Sequence, residues 1–319
     1  MHHTTDYGQG IVAIDSGYCR PHFDAIHLII ENGRAALIDT ATNAAAPRVL
    51  AALAEYGLTT AQVEAIILTH IHLDHAGGAG LLMQQVPQAR LYVHPLGARH
   101  MAHPEKLRAG TAAVYGEAQT QALYGTLLPI DPARITATAH EQKIDLAGRE
   151  LLLLHTPGHA RHHQCIRDGR TGHVFTGDTF GLSYRELDRD GRCFIVPTTT
   201  PVHFDPAALH QSIDLLMSYQ PQAMYLTHYG QVTDLPRLAA DLHRLIDAVV
   251  AAARPLAQAG ATRHAQLCEA IGQVMRTEAA RAHWGVQGEA LLSLLAMDID
   301  LNAQGLAVWL DGQHAAPHG

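Results

Sequence analysis

Thr69-His70-Ile71-His72-Leu73-Asp74-His75-Ala76-Gly77-Gly78 is the stretch whose reading decides the fold. Four residues able to ligate metal, His70, His72, Asp74 and His75, fall within six positions, directly after the apolar run Ala65-Ile66-Ile67-Leu68. Imidazole nitrogens and a carboxylate oxygen suit divalent first-row cations such as zinc, and ligands alternating along an extended loop can converge on two neighbouring ions. A strand running into the loop holds them rigidly, and Gly77-Gly78 let the backbone turn before the apolar Leu81-Leu82-Met83 segment. A chain with 24 histidines clusters some by chance. This cluster, however, includes an acid, follows a strand and has counterparts further along.

Those counterparts also sit at strand ends. The hairpin of Lys143-Ile144-Asp145-Leu146 and Glu150-Leu151-Leu152-Leu153-Leu154 feeds His155-Thr156-Pro157-Gly158-His159. A second strand pair, Gln164 to Arg167 and His173 to Thr176, ends in Gly177-Asp178, and Ala223-Met224-Tyr225-Leu226 ends at Thr227-His228-Tyr229-Gly230. Four times an apolar strand terminates in a residue able to bind metal.

Length and composition bound the rest. With 319 residues, 47% hydrophobic and 16% charged, the chain is globular and long enough for a sizeable core, as one large domain or a domain with a helical appendage. A formal charge of −8 argues against gripping nucleic acid or an anionic membrane and favours a small-molecule substrate. Cys19, Cys165, Cys193 and Cys268 are scattered without a C-x-x-C pair, so reduced thiols and a cytoplasmic setting are expected. The start, including the His2-His3 pair, reads as inert, with no leader pattern, and no stretch reaches membrane-spanning length.

Taken in order, Ile11–Ile14, Ala25–Ile30 and Ala35–Asp39 read as successive strands, with Glu31-Asn32-Gly33-Arg34 as the turn between the last two. Residues 44 to 56 carry a helical period, Thr59-Thr60-Ala61-Gln62 a helix start, and Arg90-Leu91-Tyr92-Val93 a strand that leaves His94 as its polar terminus. Residues 96 to 128 read as a helical, irregular insertion over the mouth of a site. Asp205-Pro206 opens an amphipathic helix to residue 219. From Leu235 the pattern is helical, and Val308-Trp309-Leu310 reads as a small edge strand before a frayed tail. The expected domains are 1–234, holding the metal-ligating residues, and a helical extension over 235–319; this extension or the 96 to 128 insertion is the expected homodimer contact.

With these residues in view, the chain resembles the metallo-β-lactamase superfamily. The match rests on H-x-H-x-D-H (His70, His72, Asp74, His75), T-P-G-H ending in His159, T-G-D ending in Asp178 and T-H-Y-G containing His228, in the family's order. It covers residues 10 to 230. The resemblance implies an α/β fold of the α+β kind, a four-layer αββα sandwich with a metal site at one sheet edge. By the same resemblance His70, His72 and His159 hold one divalent ion, Asp74, His75 and His228 a second, and Asp178 bridges them. Five neutral imidazoles and two carboxylates around two dications leave a net positive Lewis acid even after a bridging hydroxide is added. Zinc is the expected metal, with iron and manganese as alternatives for an N/O ligand set.

The implied activity is a binuclear metal-dependent hydrolase whose metal-bridging hydroxide attacks an ester, thioester or lactone. The alternatives on the same fold are a non-haem diiron redox or oxygen-binding protein, a persulfide dioxygenase-like enzyme, and a non-catalytic metal-binding module. Asp74 is the candidate for proton handling, and Tyr184 for donating to a substrate carbonyl, as a tyrosine does in the lactonase branch. At most one of His155, His162 and His163 is expected to orient a ligand or substrate, and Asp39 to cap a loop or orient a histidine. Where the glyoxalase II and persulfide dioxygenase branches carry a G-C-G-R-type sequence, this chain has Phe180-Gly181-Leu182-Ser183-Tyr184-Arg185, then Arg192-Cys193-Phe194 and Pro197-Thr198-Thr199-Thr200-Pro201. That segment resembles a poorly characterised archaeal and bacterial subgroup.

Overall fold

The computed structural model describes residues 3–199 and 202–315; His2, the Thr200-Pro201 end of the Pro197–Pro201 segment and the last four residues lie outside the described residues. The chain divides into two compact units, one of Met1–His155, His162–Gly177 and Pro221–Gln231, the other of Thr156–Arg161, Asp178–Gln220 and Val232–Gly319.

The first unit carries two sheets. Strands β1 (Thr4–Asp6), β2 (Ile11–Asp15), β3 (Ala25–Glu31), β4 (Arg34–Ile38), β5 (Val63–Ile67), β6 (Arg90–Val93) and β7 (Ile135–Ala137) lie side by side in chain order. The first four form an antiparallel meander with His27 opposite both Ala13 and Ile38; β4 to β7 run parallel. The second sheet comprises β8 (Gln142–Leu146), β9 (Arg149–His155), β10 (Gln164–Asp168), β11 (Val174–Gly177), β12 (Met224–Leu226) and β13 (Gly230–Val232), in the order β13-β12-β11-β10-β9-β8.

Alternation along the strands makes the sandwich. Ile11, Ile29, Ile38, Ala65 and Ile67 meet Leu151, Leu153, Ile166, Phe175 and Tyr225 in one buried cluster between the sheets. Their neighbours Val12, Ile14, Leu28, Leu37 and Ile66 face the other way, into a second cluster. That cluster includes Val49 and Leu53 of α1 (Ala46–Glu55), Ala76 of α2 (Leu73–Ala76), and Leu82 and Met83 of α3 (Ala79–Gln85). Strands buried on both faces read as near-continuous apolar runs. Each enclosed Ile or Leu contributes about 1.5–3 kcal/mol relative to exposure. The insertion resolves into α4 (Pro95–Ala102), α5 (Glu105–Tyr115) and α6 (Glu117–Tyr124).

The second unit is helical: α7 (Pro206–Ser218), α8 (Leu235–Ala253), α9 (Arg263–Ala282), α10 (Gly288–Leu294) and α11 (Ala296–Ala315). Asp205 caps α7 by accepting from the Ala208 amide at 3.0 Å, ahead of Pro206. Leu238, Leu242, Leu245, Ile246 and Val249 bury one stripe of α8. The expected edge strand at Val308-Trp309-Leu310 is instead part of α11. Ile299, Ala303, Leu306 and Leu310 recur at three- and four-residue spacing and are buried as one helical stripe, so tertiary burial overrides the β-branched local signal. Among the described residues no single helix is long and apolar enough to cross a membrane.

Candidate metal centre

In the first unit the site grows from the end of β5. The chain leaves the sheet at Thr69, whose amide donates to Asp39 Oδ1 at 2.7 Å and whose hydroxyl donates to Oδ2 at 2.8 Å. Asp39, 1% exposed and at φ +60°, also accepts from Thr227 Oγ1 at 3.0 Å and from His75 Nδ1 at 2.8 Å. This buried carboxylate therefore ties together three chain segments and fixes the ring of His75, as expected for an orienting acid. Gln164 adds a second tie: its amide donates to Thr69 O at 2.7 Å and its side chain to Leu68 O at 2.8 Å.

The ligand-bearing stretch is not an extended loop throughout. His72 sits at the N-cap of the short helix α2, and Asp74 and His75 lie within that helix, so their directions come from a helical turn. His70 Nε2 lies 2.8 Å from His72 Nδ1, and the His70 and His75 ring centroids are 4.0 Å apart. Asp74 Oδ2 stands 3.8 Å from His75 Nε2 and 3.4 Å from His228 Nε2. Donor atoms of these three residues all lie within 4.8 Å of one another. His228 Nδ1 donates to Phe23 O at 2.8 Å, which directs its Nε2 toward Asp74.

The donor set fits a divalent cation on its chemistry. Two imidazoles are held by their Nδ1 atoms, and each turns Nε2 toward one carboxylate oxygen that is partly open to solvent. His70, His72, Asp74, His75 and His228 are thus gathered in this unit. In the other unit His159 and Asp178, both buried, place Nε2 and Oδ2 3.4 Å apart. The turn carrying His159 depends on Gly158, at φ +134°, where a Cβ would come within 2.3 Å of the Leu209 backbone. Asp205 N to Gly158 O at 2.8 Å and Ser212 Oγ to Pro157 O at 2.6 Å hold that turn on α7.

His162 and His163 both face His70, with stacked centroids at 6.1 and 4.9 Å, whereas His155 pairs with His94 at 4.3 Å. His94 Nδ1 accepts from the Leu96 amide at 3.2 Å, capping α4, and burial with the neighbouring His155 lowers its pKa to about 4. Tyr184 is fully enclosed, and its hydroxyl donates to Asp298 Oδ1 at 2.9 Å.

Three residues that carried no sequence signal emerge beside the first-unit cluster. Asp24 is wholly buried with neither carboxylate oxygen hydrogen-bonded among the described residues. Burial pushes its pKa up to about 8 against the opposing pull of His228 and His75. Tyr18 and Tyr124 share a 2.8 Å hydroxyl contact, and both phenols are pushed upward by burial and then by the charge of Asp74. An acid ahead of a strand and two tyrosines 106 positions apart have no local pattern to mark them.

A two-sheet sandwich with histidines and acids gathered at strand ends defines a metal-binding α/β protein. The chain belongs to the metallo-β-lactamase superfamily, which it matches over residues 21–228. It is similar to a metallo-β-lactamase fold-containing protein of Sulfurisphaera tokodaii, 28% identical over 176 residues, which cover 54% of this chain and 62% of that protein. It is also similar to a hydroxyacylglutathione hydrolase of a Synechococcus strain, 31% identical over 153 residues, 47% of this chain and 45% of that protein. The chain spans less than two thirds of the length of either. Among solved structures, a metallo-β-lactamase family protein from Thermus thermophilus superimposes with a TM-score of 0.66 at 21% identity, covering 98% of this chain and 97% of that one. That likeness establishes the fold: the metallo-β-lactamase sandwich with a helical C-terminal extension.

Proposed function

We propose that this protein is a binuclear metal-dependent hydrolase that cleaves an ester, thioester or lactone of a small molecule. The observation that carries the reading is the convergence of Asp74, His75 and His228 within 4.8 Å. The ligand set we assign follows the four motifs: His70, His72 and His159 for one ion, Asp74, His75 and His228 for the other, with Asp178 shared. Bound there, two divalent cations, zinc in this reading, supply Lewis acidity and bring the ionisation of water toward neutral pH.

The chain's own residues do the rest. Asp39 and the Phe23 carbonyl hold the His75 and His228 rings in one orientation, so the ligands meet the ion preorganised. Asp74, with its side chain 26% exposed, is the group we assign to receive a proton at the carboxylate. Tyr18 and Tyr124 provide an aromatic wall near Asp74 against which a substrate's apolar part can pack. Tyr184, engaged with Asp298, is assigned a positioning role in its own unit. Similarity to a protein named hydroxyacylglutathione hydrolase makes an acylglutathione thioester the first substrate to try.

The test combines metal analysis of the native protein with a panel of thioester, lactone, phosphodiester and β-lactam substrates, repeated on Asp178→Ala. Turnover is expected to require metal, and the variant to lose more than the ~10–100-fold that follows loss of an outer partner of a metal ligand. Unchanged hydrolysis by metal-free protein or by the variant overturns the reading. Stoichiometric iron with an oxygen-dependent optical change and no hydrolysis replaces it with the diiron alternative.

A further inference from the structure

The helical second unit holds a separate group of metal-ligating side chains. His264 and Cys268, one turn apart on α9, meet Asp300 of α11, and a donor atom from each lies within 4.8 Å of the other two. His264 Nε2 is 2.9 Å from Asp300 Oδ1 and 3.6 Å from Cys268 Sγ. We propose that these three side chains form a second site for a single divalent transition-metal ion of the zinc class, stapling α9 to α11.

Geometry separates this from the two ordinary alternatives. In a Cys-His-Asp catalytic arrangement the acid holds one ring nitrogen while the thiol faces the other. Here Sγ and Oδ1 both approach the same nitrogen, Nε2, so three donors of different chemistry point at one place. A simple surface ion pair needs only His264 and Asp300. It accounts neither for the sulfur one helical turn along nor for Gln304, whose Nε2 donates to the other Asp300 oxygen at 2.9 Å and leaves Oδ1 toward the imidazole. Restraint of a ligand's second oxygen is what a metal carboxylate requires.

The distances suit zinc. Tetrahedral coordination at the usual bond lengths separates an imidazole nitrogen from a thiolate sulfur by about 3.6 Å and from a carboxylate oxygen by about 3.4 Å. The sulfur is already placed, and the carboxylate has to open by about half an ångström from its hydrogen bond. The two helices are held independently: Arg263 of α9 pairs with both carboxylate oxygens of Asp311 of α11, at 2.7 and 2.9 Å. The ligands therefore need no large rearrangement.

Charge also favours occupancy. A thiolate and a carboxylate beside a neutral imidazole neutralise a dication, and Cys268 releases its thiol proton to solvent on binding. Cys268 and Asp300 also line a cavity of about 500 Å³, with Gly272, Arg276, Leu292 and Ile299 among its walls. His264 and Asp300 are half-exposed, so an ion can enter and the fourth position is left to water.

Cobalt substitution tests this independently of the proposed hydrolase, because the ligand set assigned there contains no cysteine. Metal-free protein titrated with Co2+ is expected to develop a near-ultraviolet thiolate-to-cobalt band. The band should disappear in Cys268→Ser, weaken in His264→Ala and Asp300→Asn, and persist in Cys19→Ser, Cys193→Ser and Asp178→Ala. Zinc analysis should find one fewer ion per chain in Cys268→Ser, with far-ultraviolet circular dichroism and hydrolysis unchanged. No thiolate band in the unsubstituted protein, or a band that survives Cys268→Ser, overturns the proposal. Unaltered cobalt titrations in both His264→Ala and Asp300→Asn do so as well.

Discussion

Two buried acids, one in each unit, make an informative pair. Asp39 of the first unit is 1% exposed and Glu278 of the second is 3% exposed, and each receives several hydrogen bonds. The partners of Asp39 are Thr69, His75 and Thr227, all buried. Those of Glu278 are the guanidinium groups of Arg244 and Arg281, which reach it at 2.7 Å while their side chains stay 42% and 54% exposed. Water can replace what Glu278 provides to its arginines, and it cannot reach the donors that Asp39 serves. The same kind of acid therefore constrains a site in one unit and tethers flexible side chains in the other.

Asp39→Ala tests the stronger half of that contrast. It takes the shared acceptor from four buried donors on three residues and is expected to cost about 4–5 kcal/mol in urea unfolding, together with metal affinity. A loss below about 1 kcal/mol would show that water enters the pocket and erase the distinction. Arg149→Ala comes next, because Arg149 and Asp168 form a fully enclosed bidentate pair at 2.8 and 2.7 Å. About 3–4 kcal/mol is expected, since the carboxylate remains buried without its cation.

Arg149 also predicts a pH dependence. Burial by itself raises the Asp168 carboxyl, but hydrogen bonds from Arg149 and Thr171 outweigh it and hold the group below its ordinary 3.8. A folded-state value below the unfolded one means that the stabilisation is present above pH ~4 and is lost as pH falls through the folded value. Acid titration of the unfolding free energy should show this slope in the unsubstituted protein and a flatter one in Arg149→Ala.

Gly158→Ala addresses backbone rather than charge. A Cβ directed at the Leu209 backbone, at a φ that L-residues avoid, is expected to cost about 1–3 kcal/mol and to displace His159, read as lowered melting temperature with weakened metal binding. Glu278→Gln should have the smallest effect, about 1 kcal/mol, and half-molar salt should shrink it further. A salt-insensitive loss as large as that of Asp39→Ala would mean the arginines are held as rigidly as the threonines.

Much of the fold was legible because burial on both faces leaves continuous apolar runs. Ile11–Ile14, Ala25–Ile30 and Ala65–Leu68 announce strands irrespective of their neighbours. The short strands at Thr4, Ile135 and Gly230 were not legible, since three residues with polar members carry no period and pair only because a neighbouring edge is available. The α11 residues Val308-Trp309-Leu310 misled for the opposite reason: a β-branched residue beside an aromatic mimics a strand until the spacing from Ile299 to Leu310 is seen to bury one face.

The same division holds at the site. Chemistry that depends on residue type and local spacing was written in the chain: His70, His72, Asp74 and His75 lie within one loop-and-turn, and His159, Asp178 and His228 each follow a strand or its turn. What only the tertiary structure decided is how those groups are held and what surrounds them. The Asp39 hub, the Phe23 carbonyl on His228, the buried carboxyl of Asp24 and the contact between Tyr18 and Tyr124 join residues between 30 and 205 positions apart in hydrogen bonds or shared fields. Sequence spacing carries no information about such pairs. They are fixed by which faces of two sheets the apolar residues bury, and the polar residues are carried along to wherever that burial places them.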